Sequence, residues 1–174
     1  MKGFTVPEIM LVLGICALVA VLGLPAFNGT LARARLGRSA ETIAADLRLA
    51  RHLALTWQVP VYVSFSTADQ CYAISAEPDC PCNKQGPDCL LNSPLRRHAR
   101  RVDKNEFGSV QLTEVQFGQT ETTGFTPPRG SARFGHVILS NRYRQRLKLS
   151  LSLPGRVRIC NPDPATTYPG YPRC

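Results

Sequence analysis

Residues 9–32 carry no charged side chain and are rich in Leu, Val, Ile and Ala. A run of this length is sufficient to cross a bilayer as a helix. A cleaved secretory signal is one alternative. However, the apolar core of such signals is shorter than this run, and Leu24-Pro25-Ala26 is a poor cleavage site. An ordinary membrane anchor fits the length. Neither alternative accounts for Glu8, because a carboxylate at the edge of an apolar run is costly without a partner.

The residues that precede this run form a more specific pattern. Residues 1–8 read Met-Lys-Gly-Phe-Thr-Val-Pro-Glu, and this segment resembles the leader and cleavage site of type IV prepilins. The resemblance implies that prepilin peptidase cuts between Gly3 and Phe4 and that Phe4 is then N-methylated. Glu8 becomes the fifth mature residue, which in this family pairs with the N-terminal amine of a neighbouring subunit. Opposite charges in a low-dielectric layer attract strongly, so the pairing is physically reasonable.

The helical pattern continues beyond the apolar run. Apolar residues recur at alternating spacings of four and three, which is typical of an amphipathic helix that packs on a globular domain. We predict one helix from Phe4 to Trp57, with a transmembrane or filament-core part at 4–28 and an amphipathic part at 29–57. The apolar stripe is assigned to the core and comprises Leu36, Ala40, Ile43, Leu47, Ala50, Ala54 and Trp57.

Residues 58–174 have the character of a β-rich domain. Turn signals fall at Pro127–Gly130 and at Pro154-Gly155. We therefore expect an α+β protein whose long helix packs on a small antiparallel sandwich or bent sheet, with a Cys-rich insertion at about 76–105. An Arg-rich stretch at 96–101 is interpreted as a solvated loop, since acidic residues follow closely. The predicted strands are 59–65, 71–76, 110–117, 137–140, 147–153 and 156–159.

Three segments of this domain carry a second resemblance. Residues 125–130 (Phe-Thr-Pro-Pro-Arg-Gly), 136–140 (His-Val-Ile-Leu-Ser) and 155–160 (Gly-Arg-Val-Arg-Ile-Cys) resemble the FimT/FimU-type minor pilins, which are related to the H-type pseudopilin of type II secretion. The resemblance implies the type IV pilin fold. It also implies a periplasmic domain that is anchored in the inner membrane and later assembled into an extracellular pilus, at or near its tip.

Six cysteines lie in this domain, and Cys16 lies in the apolar run, where it acts as a small apolar residue. Because an exported domain meets an oxidising compartment, three disulfides are expected. Six cysteines allow fifteen connectivities, of which we favour Cys160–Cys174 and a local framework among the other four. Zinc is the alternative for those four, but their spacing differs from the usual C-x2-4-C pairs, so no metal is predicted. The four are Cys71, Cys80, Cys82 and Cys89.

The formal net charge of +9 is concentrated near the C-terminus. Residues 129–174 hold nine Lys and Arg against Asp163 alone, a net charge of +8, which favours a polyanionic partner. In FimT-type minor pilins a Gly-Arg-x-Arg element is implicated in DNA binding, and the resemblance assigns that role to Arg156 and Arg158. Arg173 is predicted to join them. A second row, expected on one face of a strand because it alternates, comprises Arg142, Arg144, Arg146 and Lys148.

Two functions remain open at this point. The first is a minor pilin that binds DNA without sequence preference for uptake in natural transformation. The second is a structural minor pilin or pseudopilin that primes assembly of a pilus tip or a type II secretion pseudopilus, in which cationic rows only solubilise a sheet edge or bridge to adjacent pilins. No catalytic motif is present, so neither an enzyme nor a cofactor is predicted. The expected partners are DNA, other major and minor pilins, the inner membrane and prepilin peptidase.

Overall fold

A single long helix is the main feature of the computed structural model, which describes residues 5–83, 100–164 and 168–174. Helix α1 runs from Val6 to Trp57. Pro7 lies in its first turn, where amides have no intrahelical partner and proline is tolerated. The helix ends at Gln58, which adopts a left-handed conformation with φ 54°. The predicted helix is therefore present, and Phe4, at its predicted start, lies outside the described residues.

The apolar stripe of α1 is the side that faces the domain. Leu36, Ile43 and Leu47 are each no more than 1% exposed, and the alanines of the stripe are equally buried. Alanine allows the strands to approach the helix axis closely, while the larger side chains fill the space between them. Trp57 departs from the prediction, since its side chain at the end of the helix is 48% exposed.

Two antiparallel sheets pack on this stripe. The first sheet has the strand order β3-β2-β1-β5-β6, and the second has the order β4-β7-β8-β9. A short helix, α2, spans Lys104–Phe107 between β3 and β4. This arrangement confirms the predicted α+β class and its antiparallel pairing. The strands are β1 Val61–Ser66, β2 Cys71–Ser75, β3 Arg100–Val102, β4 Val110–Gln116, β5 Thr122–Thr126, β6 Ser131–Ala132, β7 Gly135–Asn141, β8 Arg146–Leu151 and β9 Val157–Cys160.

The core lies between the helix and the inner faces of the two sheets. Strand β8 illustrates the pattern, because Leu147, Leu149 and Leu151 are buried while the residues between them face outward. Phe65 stacks on Phe117 with ring centroids 5.9 Å apart and meets Tyr72 at 5.3 Å. These aromatic rings join the two sheets at the end of the core that lies away from β9.

Strands β3, β5 and β6 and helix α2 were not predicted from the sequence. Strand β3 lies within the predicted insertion and pairs with β2, where Val102 is opposite Tyr72. Its residues Arg100 and Arg101 therefore belong to a sheet edge and not to the solvated loop that the charge pattern indicated. The rest of that Arg-rich stretch, 96–99, lies outside the described residues.

The large apolar side chains described in the N-terminal part of α1 are exposed. Leu11, Leu13 and Leu18 are 66%, 64% and 67% exposed. No helix within the described residues combines the length and apolarity needed to cross a membrane.

Candidate nucleic-acid interface on the second sheet

The hairpin that joins β8 to β9 sets the position of Arg156. The Ser152 amide donates to the Arg156 carbonyl at 3.1 Å, and the Gly155 amide donates to the Ser152 carbonyl at 2.8 Å. Gly155 has φ +76°, a left-handed conformation that glycine adopts without steric cost. The chain is thus reversed by the three residues Leu153-Pro154-Gly155, with glycine at the left-handed position that such loops require.

A close approach of two turns explains why residue 155 is glycine. A Cβ atom there would lie 2.7 Å from the carbonyl oxygen of Gly130 and 2.9 Å from Cδ of Arg51. The Ala132 amide also donates to the Leu153 carbonyl at 2.8 Å, which ties the edge of the first sheet to this hairpin. The glycine-containing turns from two of the segments that carry the family resemblance therefore meet above Arg51 of α1.

Arg156 and Arg158 point to the same side of the second sheet. Both are exposed, and Val157 between them is buried, as the alternation of cationic and apolar residues predicts. Arg158 lies opposite Ser150 of β8, and Ser152 faces Arg156 through the hairpin. Their cross-strand neighbours, Ser150 and Ser152, have short hydroxyl side chains, and both arginines are exposed to solvent.

Strand β8 adds two cations to this outer face. Arg146 is exposed, and Lys148 is half-buried beside Cys160. We call the set of Arg146, Lys148, Arg156 and Arg158 the arginine face. None of the ion pairs among the described residues involves this face. Those pairs are Arg100–Asp46, Arg100–Glu106 and His136–Glu114. The arginine face thus presents uncompensated charge, and guanidinium groups bind phosphate in bidentate geometry.

Arg142 and Arg144 do not continue this row, contrary to the prediction from alternation. They lie in the turn between β7 and β8, where Asn141 accepts hydrogen bonds through Oδ1 from the amides of Tyr143 and Gln145 at 3.0 and 3.1 Å. An asparagine side chain that bonds the following backbone favours a turn over a strand. Arg142 stacks on Tyr143, with its guanidinium carbon 5.0 Å from the ring centroid. The six residues of β8 separate this turn from the Arg156 hairpin, which corresponds to roughly 20 Å at the rise of a strand.

Arg173 lies at the opposite end of β9 from Arg156. The C-terminal tail forms a parallel bridge with Asn161, whose amide donates to the Pro172 carbonyl at 2.8 Å. Cys160 and Cys174 are joined by a disulfide, the pairing favoured from the sequence. Five strand positions correspond to about 16 Å, so Arg173 extends the cationic surface along the edge of the sheet and does not cluster with Arg156.

The Cys-rich region contains a second described disulfide, between Cys71 and Cys82. Cys80 is disulfide-bonded as well, and Cys89 lies outside the described residues. Cys16 is a free, exposed cysteine. In the part of the chain that the structure describes, no group of His, Cys, Asp or Glu is arranged to hold a metal ion.

The predicted assembly residue, Glu8, lies at the start of α1, far from the arginine face. Glu8 is exposed in the first turn of α1, where its amide donates to the Thr5 carbonyl at 3.0 Å. Gly3 and Phe4 lie outside the described residues.

A buried polar cluster was missed by the sequence analysis. Asp46 is 3% exposed, accepts a hydrogen bond from the Tyr72 hydroxyl at 2.5 Å and pairs with Arg100 at 3.2 Å. Burial, followed by the bond to Asp46, raises the pKa of Tyr72 far above its ordinary value. Asp46 is thus paired with both Tyr72 and Arg100. We therefore assign this cluster a structural role, the attachment of β2 and β3 to α1. The only sequence signal was an acidic residue next to the apolar stripe.

Comparison with known proteins agrees with this architecture. Two crystal structures of the type IV minor pilin FimU from Pseudomonas aeruginosa strain PAO1 are similar to this chain. In the first the TM-score is 0.54 and the identity 17%, over 80% of this chain and 96% of that one. In the second the TM-score is 0.51 and the identity 17%, over 78% and 98%. No curated protein matches the chain.

A family model described as Type II transport protein GspH matches residues 39–168. The match includes the last part of α1, from residue 39 to Trp57, both sheets and the β8–β9 hairpin. Because it spans well over half of the sequence, the chain belongs to the GspH family.

Proposed function

We propose that this protein is a minor pilin that binds DNA without sequence preference through the arginine face, for DNA uptake in natural transformation. The family assignment supports a pilin or pseudopilin, whose partners are other pilins. DNA binding is our addition to that assignment. On this proposal the chain is first an inner-membrane protein with a periplasmic domain, is processed by prepilin peptidase after Gly3 and is then assembled at or near a pilus tip.

One observation carries the DNA proposal. Arg156 and Arg158 are exposed on the same side of a strand that is held by a closely packed turn. No ion pair within the described ranges neutralises them. An unpaired guanidinium keeps its charge at all physiological pH values and matches the geometry of phosphate oxygens. Contacts of this kind read the backbone and not the bases, so we expect affinity without sequence preference.

The other predicted residues contribute less. Arg146 and Lys148 extend the arginine face along β8, and Arg173 extends it along the sheet edge. Arg142 and Arg144 project from the far turn, and they reach a phosphate only when the DNA lies along β8. We therefore expect Arg156 and Arg158 to account for most of the phosphate contacts of a short duplex.

The test is a salt titration of duplex DNA binding by the full-length protein in detergent. If Arg156 and Arg158 each contact one phosphate, the Arg156→Gln/Arg158→Gln variant has a log–log salt slope that is smaller by about 1.8. The Arg142→Gln/Arg144→Gln variant removes the same charge from the far turn and serves as the control. Equal affinity and slope in the wild type and the Arg156/Arg158 variant overturn the proposal.

The GspH family assignment also favours a second candidate, assembly priming without DNA binding. The exposed apolar side chains of the N-terminal part of α1 need partners, and neighbouring pilin helices supply them. Under this alternative, deletion of the gene abolishes piliation or secretion, and the Arg156→Gln/Arg158→Gln variant has the same DNA affinity as the wild type.

A further inference from the structure

Phe134 is a large aromatic side chain that the domain leaves uncovered. It lies just before β7 and is 61% exposed, although the neighbouring positions Arg133 and Gly135 are tied into the fold. The Arg133 guanidinium donates to Thr120 Oγ1 at 3.0 Å. A Cβ on Gly135 would lie 2.0 Å from the Gln116 carbonyl oxygen, so the backbone is packed directly against β4. Phe134 therefore projects from a fixed backbone and not from a loose loop.

The strand register brings Phe134 into line with the arginine face. Gly135 is opposite Leu151 and His136 is opposite Ser150, and Phe134 and Ser152 directly flank this pairing, just outside β7 and β8. Ser152 in turn faces Arg156. Extending the pairing by one residue places Phe134 two strand spacings from Arg156 on the outer side of the sheet, about 10 Å between their backbones, with Ser152 between them.

A second row repeats this arrangement. His136, Ser150 and Arg158 lie side by side on β7, β8 and β9. The space beside Phe134 forms a groove of about 310 Å³. Its lining combines an aromatic ring, small residues and a cation, and comprises Gln116, Gly118, Phe134, Gly135, His136, Lys148, Ser150 and Leu151.

The two sides of this surface differ in charge. Glu114 of β4 lies beyond the groove and holds His136 at 3.0 Å, so phosphate is disfavoured on the β4 side. The cations lie on β8 and β9. A bound strand therefore places its phosphates over Arg156 and Arg158 and its bases toward Phe134.

From this geometry we infer that Phe134 is a stacking platform for an unpaired base and that the surface prefers single-stranded DNA to duplex. The inference rests on the proposed function and names its substrate class. In a duplex the base faces are covered by neighbouring bases, so only the phosphate contacts remain. In a single strand an exposed base lies flat on the ring, and a contact of this kind contributes about 1–3 kcal/mol by alanine substitution.

The test compares three ligands of equal length with the full-length protein in detergent: a single strand, its duplex and a strand of abasic sites. We expect Phe134→Ala to weaken single-strand binding by at least about fivefold, to the level of the abasic strand. Duplex affinity stays unchanged. Phe134→Trp retains single-strand binding because its ring also stacks on a base, and the unchanged duplex affinity of Phe134→Ala shows that this variant is folded. Tyr143→Ala, which removes another exposed ring (46%) at the far turn, leaves all three affinities unchanged.

The outcomes separate the two proposals. Equal binding of the single strand and the abasic strand, with no effect of Phe134→Ala, overturns the stacking inference. If the Arg156→Gln/Arg158→Gln variant still weakens every ligand in that case, the proposed function stands. If the wild type binds none of the three ligands, both proposals fail.

Discussion

At the scale of single residues, glycine decides where the arginines lie. Gly155 combines φ +76° with a backbone oxygen 2.7 Å from where its Cβ would be, so the hairpin tolerates no side chain at this position. The motif Gly-Arg-x-Arg therefore has a physical basis in its first residue as well as in its cations. Glycine supplies the turn and the close contact, and the arginines supply the charge.

Replacement of Gly155 by alanine is expected to unfold the hairpin or to shift Arg156. A left-handed alanine costs roughly 1–2 kcal/mol, and relief of the overlap with Gly130 adds about 1–3 kcal/mol. The control is Gly118→Ala, which has a similar φ of +67° but meets only Cδ of Arg133, at 3.9 Å. Chemical denaturation gives the free energy of unfolding of each variant. Equal losses for the two substitutions would contradict the role assigned to the close contact.

At the scale of elements, the sequence identified those whose pattern is local. The amphipathic stripe of α1 and the alternation of β8 and β9 both follow from spacing alone. Strand β3 was missed because it is three residues long and gains its stability from Asp46, which lies far away in the sequence. Arg142 and Arg144 were misplaced because alternation alone cannot distinguish a strand from a turn that is fixed by the Asn141 side chain. In the candidate site, Phe134 was missed because its significance depends on a register across three strands.

Because Tyr72 of β2 bonds to Asp46 of α1, we expect the free energy of unfolding to depend on pH in the alkaline range. Because the pKa of Tyr72 is raised above its ordinary value of 10.0, the folded state holds this proton more tightly than the unfolded state. Its stabilising effect is complete below pH 10 and declines above it, by up to about 1.4 kcal/mol per pH unit. We expect Tyr72→Phe to lower the free energy of unfolding by about 1–3 kcal/mol at neutral pH and to remove this decline. The free energy of unfolding is measured by chemical denaturation of the wild type and Tyr72→Phe from pH 8 to pH 11. A difference between the two proteins that stays constant over this range would contradict the assignment.

At the scale of the whole molecule, charge and apolarity are separated along the helix. Most of the exposed large apolar side chains among the described residues lie in the N-terminal part of α1, and the arginine face lies beside its C-terminal part, where Arg51 contacts the β8–β9 hairpin. Glu8 and Arg51 are about 65 Å apart at the rise of an α-helix. Sites at such a distance that share no partners act independently. Assembly through Glu8 and DNA binding through the arginine face are therefore expected to be separable functions.

This separation is tested by crossing two variants. Glu8→Gln removes the charge that we propose to pair with a neighbouring N-terminus, so the protein is expected to be absent from sheared pili while the purified protein keeps wild-type DNA affinity. Arg156→Gln/Arg158→Gln is expected to do the reverse, with normal incorporation and weak binding. Immunoblots of the pilus fraction and salt titrations of purified protein measure the two properties. If the arginine variant is also missing from pili, the arginine face contacts adjacent subunits, and the cations serve assembly as the structural alternative requires. If the incorporation of this variant is normal and its DNA affinity falls, the arginine face binds DNA and is not needed for assembly.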